Sequence, residues 1–409
     1  MEFGTLIFLT SGLFLGWSLG ANDAANVFGT AVGTRMVRFN TAVILCSIFV
    51  VVGAVFGGAG GAETLGKLGA IDTLAGSFMA ALAAGIAVYL MIKSGLPVST
   101  TQAIVGGIVG WNLFSGTPTD SETLGKILST WVLCPILAAI FSASLMQVTR
   151  FVLRRSKLHR LRQDAYTRIG LILAGVFGAY SLGANNIANV VGVFVPASPF
   201  KDIALPGNII ASGTHQLFFL GALAISVGVL TYSRRVMMTV GKGLLPLTPV
   251  GAWVVVVSHS MVLFIFSSTG LSNFLTSLGL PAIPLVPVSS SQAVVGAVLG
   301  IGMLRGGRAI QWSLLGRIAL GWVTTPVIAG LICFVGLFFL QNVFGQPVQQ
   351  AGSTRYAPKN HATTEPLPLK SSGRFNSPSG EHNVVHLTLR FDPVQPTDPD
   401  VMIDTEGRL

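Results

Sequence analysis

Charged residues are scarce in this sequence. Asp, Glu, Lys and Arg make up 10% of its 409 residues, whereas hydrophobic residues make up 51% and the mean hydropathy is +0.71. A soluble globular domain carries about 25% charged residues, so the composition excludes an ordinary water-soluble fold. Apolar stretches recur over residues 1–344, and many are long enough to cross a bilayer of about 30 Å. We therefore expect a multi-pass integral membrane protein of the plasma or inner membrane.

Cysteine and catalytic groups are also scarce. Cys46, Cys134 and Cys333 lie in apolar stretches, and their spacing fits neither a disulfide framework nor a zinc site, so we interpret them as small packing residues. No set of nucleophile, base and orienting residue is evident, and neither an enzyme activity nor a cofactor is expected. The N-terminus lacks the basic region and cleavage site of a signal peptide, which favours a retained first membrane helix.

The basic residues that give the chain its net charge of +10 lie mainly between the apolar stretches. Seven of them fall between Arg150 and Arg168. Basic residues in short loops mark the cytoplasmic face, so the pattern favours a membrane protein over one that binds nucleic acid. With the basic loops inside, residues 1–149 and 169–344 enter the bilayer from opposite sides, as inverted repeats do.

The same pattern predicts four parts of the chain. Residues 1–149 form a first transmembrane repeat, 150–168 a basic cytoplasmic linker, 169–344 a second repeat, and 345–409 a polar, largely disordered tail in which 386–391 is the one candidate strand. The expected membrane segments are 3–34, 39–60, 74–92, 97–114 and 126–149, followed by 169–196, 203–232, 248–270, 289–304 and 310–340.

Two polar motifs each occur twice inside the apolar stretches. GANDAANVFG at residues 20–29 returns as GANNIANVVG at 183–192, and PVSTTQA at 97–103 returns as PVSSSQA at 287–293. Amides, hydroxyls and a carboxylate are costly in hydrocarbon unless they face a partner or a wet cavity. The duplication therefore predicts two structural repeats that build one shared polar site at membrane depth.

The first motif has the groups of a cation site. Apart from Glu2, Asp23 is the one acidic residue in 1–344 that falls outside a loop, and a buried carboxylate needs a cation or a proton. Asn22 and Asn26 lie beside it on one face of a helix, or of a break between half-helices. These oxygen donors suit a hard cation such as Na⁺. Helix packing through the small-residue pattern of Gly29 and Gly33 is the alternative, but it leaves Asp23 unexplained.

The second motif has the groups of an anion site. Proline followed by hydroxyl residues predicts a helix start, and helix N-termini offer unpaired N–H groups to an anion. Gln102 and Gln292 add amide groups one turn into each helix. Ordinary N-capping is the alternative, although a cap requires only one hydroxyl. A dianion near ionised Asp23 requires cations to offset the charge, which favours coupled transport.

On these residues the chain resembles the inorganic phosphate transporter (PiT) family. The family signature G-A-N-D-V-A-N-A-x-G matches residues 20–29 except at Ala24 and Val27, and its P-V-S-x-T signature, followed by His or Gln, resembles 97–102 and 287–292. The four copies stand in the family's order over about residues 1–340. The resemblance implies an all-α polytopic membrane protein of two inverted-topology repeats with broken helices and re-entrant helical hairpins, forming a homodimer in the lipid bilayer.

The resemblance also implies a function. It is that of a secondary active symporter of inorganic phosphate, driven by Na⁺ through alternating access, with substrate bound between two hairpin tips. Phosphate would be bound by Ser99, Thr100, Thr101, Gln102, Ser289, Ser290, Ser291 and Gln292, with Asp23, Asn26, Asn186 and Asn189 also in contact. The coupling cation would be held by Asn22, Asp23, Asn26, Asn185, Asn186 and Asn189.

One residue departs from the family pattern. Asn186 stands where the family's second copy often carries Asp, which leaves the number and identity of the coupling ions open. Related family members carry sulfate, so an H⁺-coupled phosphate or sulfate permease is the alternative. His215 and His259 lie in apolar segments and are interpreted either as proton relays or as helix–helix hydrogen-bonding residues. An anion channel is the alternative from a different class.

Overall fold

Apolar runs in lipid fold into helices because the backbone must satisfy its hydrogen bonds within the segment. The computed structural model describes residues 3–69, 71–93, 97–156, 159–205, 209–243, 245–308 and 310–349. Within these ranges lie α1 (Phe3–Gly33), α2 (Phe39–Gly57), α3 (Ala59–Gly69), α4 (Leu74–Lys93), α5 (Thr100–Ser115), α6 (Ser121–Arg155), α7 (Arg160–Val191), α8 (Gly213–Gly243), α9 (Pro249–Ser267), α10 (Thr269–Ser277), α11 (Ser290–Leu304) and α12 (Trp312–Asn342). The tail beyond residue 349, with the strand considered at 386–391, lies outside the described residues.

Seven helices in the described ranges are long and apolar enough to cross a membrane: α2, α4, α6, α7 with the short 3₁₀ turn that extends it to Phe194, the part Gly213–Met238 of α8, α9 and α12. The all-α, multi-pass class is confirmed. Helices α5 and α11 have 16 and 15 residues. At 1.5 Å per residue they rise about 24 and 22 Å, less than the hydrocarbon core of about 30 Å.

The expected loop around Glu63 and Lys67 is instead a helix. The expected span 39–60 breaks at Gly58, and α3 follows at once. Its Leu65 is buried, whereas Glu63 and Lys67 are exposed and pair at 2.7 Å, and this hydrogen bond raises the pKa of the Lys67 ammonium group. A helix with one charged face has a low mean hydropathy, so a search for apolar runs overlooks it.

The expected span 203–232 begins later than expected. A two-stranded antiparallel hairpin, β1 (Ile203–Leu205) paired with β2 (Ile209–Ala211), precedes α8. The Asp202 carboxylate accepts a hydrogen bond of 2.8 Å from the backbone N–H of Gly213, which satisfies one free donor at the start of α8. The strand residues are apolar, so the sequence alone merges the hairpin with the helix that follows it.

Two further segments are more helical than expected. Helices α6 and α7 extend into the basic linker, so residues 150–155 and 160–168 are helical. After α9 the chain breaks at Ser268, whose hydroxyl accepts a hydrogen bond of 3.1 Å from the N–H of Leu271 and so caps α10. The breaks at Gly58 and Ser268 give the fold its discontinuous helices.

The two halves of the chain exchange equivalent contacts. Helix α1 packs on α8 as α7 packs on α2, and α5 packs on α12 as α11 packs on α6. Gly20 lies against the backbone of Ile225 in α8, and Gly183 lies against the backbone of Val50 in α2. Gly20 and Gly183 are the first residues of the two motif copies. The duplication in the sequence is therefore matched by a duplication in the packing.

The two helices that carry these copies cross in opposite directions. Gly12, in the first half of α1, lies against Phe194 just beyond the end of α7, whereas Phe28, near the end of α1, lies against Gly175 in the first half of α7. Helix α1 runs without interruption through its motif, and α7 runs through all of its motif but the last residue, Gly192. Of the two arrangements considered for the first motif, the structure has a helix face rather than a break.

Candidate functional site

Asp23 lies where the two antiparallel helices cross, and its carboxylate is a meeting point of both halves. Its Oδ1 accepts hydrogen bonds from the amides of Asn22 at 2.7 Å and Asn26 at 3.3 Å, both on α1. Its Oδ2 accepts from the amide of Asn186 on α7 at 3.2 Å and from the hydroxyl of Thr100 on α5 at 3.3 Å. The first copies of both motifs and the second copy of the asparagine motif thus converge on one carboxylate.

The proline and hydroxyl motifs begin helices, as the sequence predicted. Ser99 and Ser289 are the N-caps of α5 and α11, and each hydroxyl accepts a hydrogen bond from the N–H three residues on, at 3.2 Å from Gln102 and 3.3 Å from Gln292. The hydroxyls of Ser289 and Ser291 lie 3.1 Å apart. A cap hydroxyl satisfies one donor of the first turn, and the remaining first-turn donors stay directed at the space ahead of the helix.

The two helix starts are in direct contact. Thr101 donates a hydrogen bond of 3.2 Å to the carbonyl of Val288, and its own oxygen accepts one of 2.9 Å from Asn189 on α7. Asn189 also donates to Asn186 Oδ1 at 3.3 Å. The start of α5 is thereby tied to the start of α11 and to the second asparagine motif.

Each asparagine motif also contacts the segment just before the short helix of its own half, α5 or α11. The amide of Asn22 donates a hydrogen bond of 2.9 Å to the carbonyl of Val98, and Asn185 Oδ1 accepts one of 3.0 Å from the N–H of Val288. Asn22 and Asn185 hold the same place in the two copies, as do Val98 and Val288. The structure therefore brings the four segments that carry the predicted anion and cation residues into contact with one another.

The site is enclosed and retains unused acceptors. All fourteen predicted side chains are at most 3% exposed. Five amide oxygens have no hydrogen-bond partner: Oδ1 of Asn22, Asn26 and Asn189, and Oε1 of Gln102 and Gln292. A buried polar atom without a partner costs free energy, so such a cluster is suited to a ligand that supplies the missing contacts.

The donor set fits a hard cation. The site combines one carboxylate with neutral amide and hydroxyl groups, and oxygens of these kinds suit Na⁺ better than a transition metal. In the described ranges no three His, Cys, Asp or Glu side chains form a metal-binding group. A cation would therefore have to be held by Asp23, asparagine oxygens and carbonyl groups.

Two residues reach the site without belonging to a motif. His259, on α9, is fully buried, and its Nε2 lies 2.9 Å from Ser290 Oγ at the start of α11. Cys134, on α6, lies with its sulfur 3.5 Å from the carbonyl oxygen of Ser289. His215 is elsewhere, paired with Ser212 at 2.6 Å at the start of α8. For His259 the sequence offered only a histidine in an apolar run, because its partner is 31 residues away.

A bundle of membrane helices around an enclosed polar site is the architecture of a membrane transport protein. The family model for the phosphate transporter family matches residues 19–333, with a second match over 283–365. The chain belongs to the phosphate transporter family. It is a transport protein rather than an enzyme, as the sequence predicted.

The relatives agree with this membership. The chain is 29% identical to a provisionally named phosphate permease of Pyrococcus abyssi, over 80% of this chain and 95% of the relative, and 27% identical to one of Haemophilus influenzae, over 83% and 97%. It is 28% identical to a sulfate permease of Bacillus subtilis, over 84% and 90%. A solved sodium-dependent phosphate transporter shares the fold at a TM-score of 0.65 and 23% identity, covering 82% of this chain and 99% of that structure.

Proposed function

We propose that the chain is a Na⁺-coupled symporter of inorganic phosphate that works by alternating access. The observation that carries this proposal is the contact of both hairpin tips and both asparagine motifs around Asp23. A phosphate at the two helix starts would lie beside an ionised carboxylate, and the repulsion would be severe away from water. Co-bound cations remove that repulsion, so the anion is stable in the site only together with a cation.

The residue roles follow from this arrangement. The anion is bound by the hydroxyls and glutamines at the two helix starts: Ser99, Thr100, Thr101, Gln102, Ser289, Ser290, Ser291 and Gln292. The cations are bound by Asp23 and the asparagine oxygens of Asn22, Asn26, Asn185, Asn186 and Asn189, of which Asp23, Asn26, Asn186 and Asn189 also contact the anion. The unpartnered amide oxygens favour Na⁺ over a proton, because a proton needs only one acceptor.

An inverted-repeat mechanism is supported by the packing. Residues 1–149 and 169–344 exchange equivalent contacts, and their leading helices α1 and α7 cross antiparallel. Two halves of opposite orientation let one closed site open to either face by rocking of the halves. The enclosure of every site residue fits a carrier better than an anion channel, which needs a continuous path. We also propose the homodimer, which native mass spectrometry of the solubilised protein would test.

Uptake by purified protein in liposomes tests the coupling. We expect an inward Na⁺ gradient to drive accumulation of labelled phosphate above its equilibrium level, and replacement of Na⁺ by choline to abolish that accumulation. A proton gradient without Na⁺ serves as the comparison. Equal uptake with and without either gradient would refute coupling, and unitary currents in a planar bilayer would instead identify a channel.

Sulfate is the second candidate substrate, because the Bacillus subtilis relative is named a sulfate permease. Phosphate and sulfate have the same tetrahedral shape and both suit a cradle of N–H and hydroxyl donors. If unlabelled sulfate blocks the uptake of labelled phosphate more strongly than unlabelled phosphate does, sulfate rather than phosphate is the substrate.

Removal of the hydroxyl that caps α11 should lower the affinity for the anion as well as the stability of the protein. Ser289→Ala removes the hydroxyl that accepts from Gln292 N–H and should lower stability by about 1 kcal/mol. Thr248→Ala is the matched control, since Thr248 caps α9 with the same geometry at 3.2 Å outside the site. Melting temperatures should fall alike in both variants, whereas half-saturation for phosphate should rise only in Ser289→Ala. Equal phosphate binding in the two variants would remove Ser289 from the anion site.

A further inference from the structure

Two equivalent hydroxyls in the site have opposite surroundings. Thr100 and Ser290 are the first residues of α5 and α11, each directly after the serine that caps its helix. Both are buried. Thr100 contacts Asp23, whereas Ser290 contacts Asn26 and His259. The two halves therefore differ at the place where an anion between the helix starts would meet them.

The hydroxyl of Thr100 is fixed as an acceptor toward a ligand. An ionised carboxylate can only accept hydrogen bonds, so at 3.3 Å from Asp23 Oδ2 the threonine hydroxyl must donate its proton. Its oxygen lone pairs are then what it offers to a third group. A ligand that meets Thr100 must bring a proton of its own.

The amide of Asn26 fixes one side of the Ser290 hydroxyl. The orientation of this amide follows from chemistry, because the same nitrogen lies 3.3 Å from Asp23 Oδ1, where an amide oxygen would be repelled. Asn26 Nδ2 therefore donates to Ser290 Oγ at 3.1 Å. One lone pair of the serine oxygen is occupied.

His259 fixes the other side. Its Nε2 lies 2.9 Å from Ser290 Oγ, and its Nδ1 is buried without a partner. If Nε2 accepted the serine proton, Nδ1 would carry an N–H with no acceptor, and orphaned buried N–H groups are rare and costly. The favoured tautomer has the proton on Nε2, so His259 donates to Ser290. With both lone pairs occupied, Ser290 can only donate its own proton onward.

We propose that His259 is a positioning residue that makes Ser290 a donor to the transported anion, opposite to Thr100, so that the site binds a tetrahedral oxyanion that still carries a proton. Hydrogenphosphate has oxygens to accept from Ser290 and a P–OH group to donate to Thr100. Sulfate has only acceptors and leaves the oxygen lone pairs of Thr100 without a donor. The inference rests on the proposed function and names the form of its substrate.

Competition against labelled phosphate in Na⁺-driven proteoliposomes tests, without any substitution, whether Ser290 donates to the anion and Thr100 accepts from it. Arsenate keeps a proton as phosphate does, so it should compete about as well as unlabelled phosphate. Sulfate should be at least about tenfold weaker, the loss expected when buried polar groups are left unpaired. Equal competition by sulfate and arsenate would overturn the inference while leaving phosphate transport, and the proposed function, in place. Lack of phosphate uptake by the unsubstituted protein would instead overturn the proposed function.

Substitutions test the part played by His259. His259→Phe keeps a ring but removes the donor, and half-saturation for phosphate should rise about tenfold with the same loss for sulfate. His259→Gln keeps an N–H donor and should recover most of the affinity. Thr100→Val removes the acceptor and should weaken competition by phosphate and arsenate more than competition by sulfate.

A double substitution separates positioning from a purely structural role. If His259 acts through Ser290, His259→Phe should change half-saturation less than twofold when added to Ser290→Ala. The same tenfold loss in both backgrounds would refute the proposal, as would failure of His259→Gln to recover affinity while its melting temperature matches that of the unsubstituted protein. If His259→Phe does not fold, the Gln variant and the comparison of sulfate with arsenate still decide the outcome.

Discussion

Asp23→Asn is expected to reduce Na⁺-driven phosphate uptake at least about 100-fold while leaving membrane insertion intact. The substitution keeps the size of the side chain but removes the one negative charge available to a cation in the site. It also replaces one oxygen that accepts hydrogen bonds by an NH₂ group, which must then face either the amides of Asn22 and Asn26 at the Oδ1 position or the amide of Asn186 at the Oδ2 position. Both effects oppose cation binding, and without the cation the anion loses the charge that offsets its own.

The measurement is labelled phosphate uptake, normalised to the amount of protein in the liposomes. Glu63→Gln is the matched control, because it neutralises a carboxylate in an exposed ion pair with Lys67 on α3. Exposed pairs contribute little to stability, so uptake should stay within about twofold of the unsubstituted protein. Full uptake by Asp23→Asn would remove Asp23 from the coupling site. A loss of the same size in Glu63→Gln would show that the assay responds to charge in general.

The convergence of the four motif copies could be predicted from the sequence because of what burial demands. Asparagine, serine and one carboxylate in apolar segments need partners, and two copies of each motif are best satisfied by one another. Asp23 and its four donors meet that expectation. The helix starts at Thr100 and Ser290 could be predicted because proline and hydroxyl residues act over a few positions.

What could not be predicted depends on tertiary contact. His259 and Cys134 reach the start of α11 from other helices, and no local pattern signals such a neighbour. Helix α3 was not predicted because its charged face interrupts the apolar run. The short β-hairpin before α8 was predicted as part of that helix because its strands are apolar. Hydrophobic periodicity indicates which face of a segment is buried, but it carries no information about which other segment packs against that face.

The departure at Asn186 has a structural consequence that the sequence did not give. Asn186 occupies the place in α7 that Asp23 occupies in α1, and its amide donates to Asp23 at 3.2 Å. A second carboxylate there would face the first at hydrogen-bond distance and would require a proton or a further cation between them. With Asn186 the two halves share a single charge. The asymmetry at this pair is matched by the asymmetry of Thr100 and Ser290, which contact different partners.

Gly20→Ala is expected to destabilise the protein by about 3 kcal/mol or more, which is near the upper end of what overpacking costs. A Cβ at Gly20 would overlap the carbonyl oxygen of Ile225 on α8, and Gly228 on α8 meets the carbonyl of Trp17 on α1 in the same way. Backbone atoms on both sides cannot rotate aside as a side chain can. Small residues are what allow two membrane helices to approach this closely. The α1 and α8 helices would have to separate, and α1 carries Asp23.

The melting temperature of the purified protein in detergent, together with its elution as a single species, measures the effect. Gly125→Ala is the matched control, because Gly125 lies on an exposed part of α6 with no atom within 4 Å of an added Cβ. Alanine favours a helix over glycine by about 1 kcal/mol, so Gly125→Ala should be neutral or slightly stabilising. Gly183→Ala should repeat the loss, since its Cβ would overlap the carbonyl of Val50. Normal stability of both Gly20→Ala and Gly183→Ala would mean that these close backbone contacts do not hold the two halves together. The rocking mechanism, which is proposed from the exchange of contacts between the halves, would then lose its physical basis.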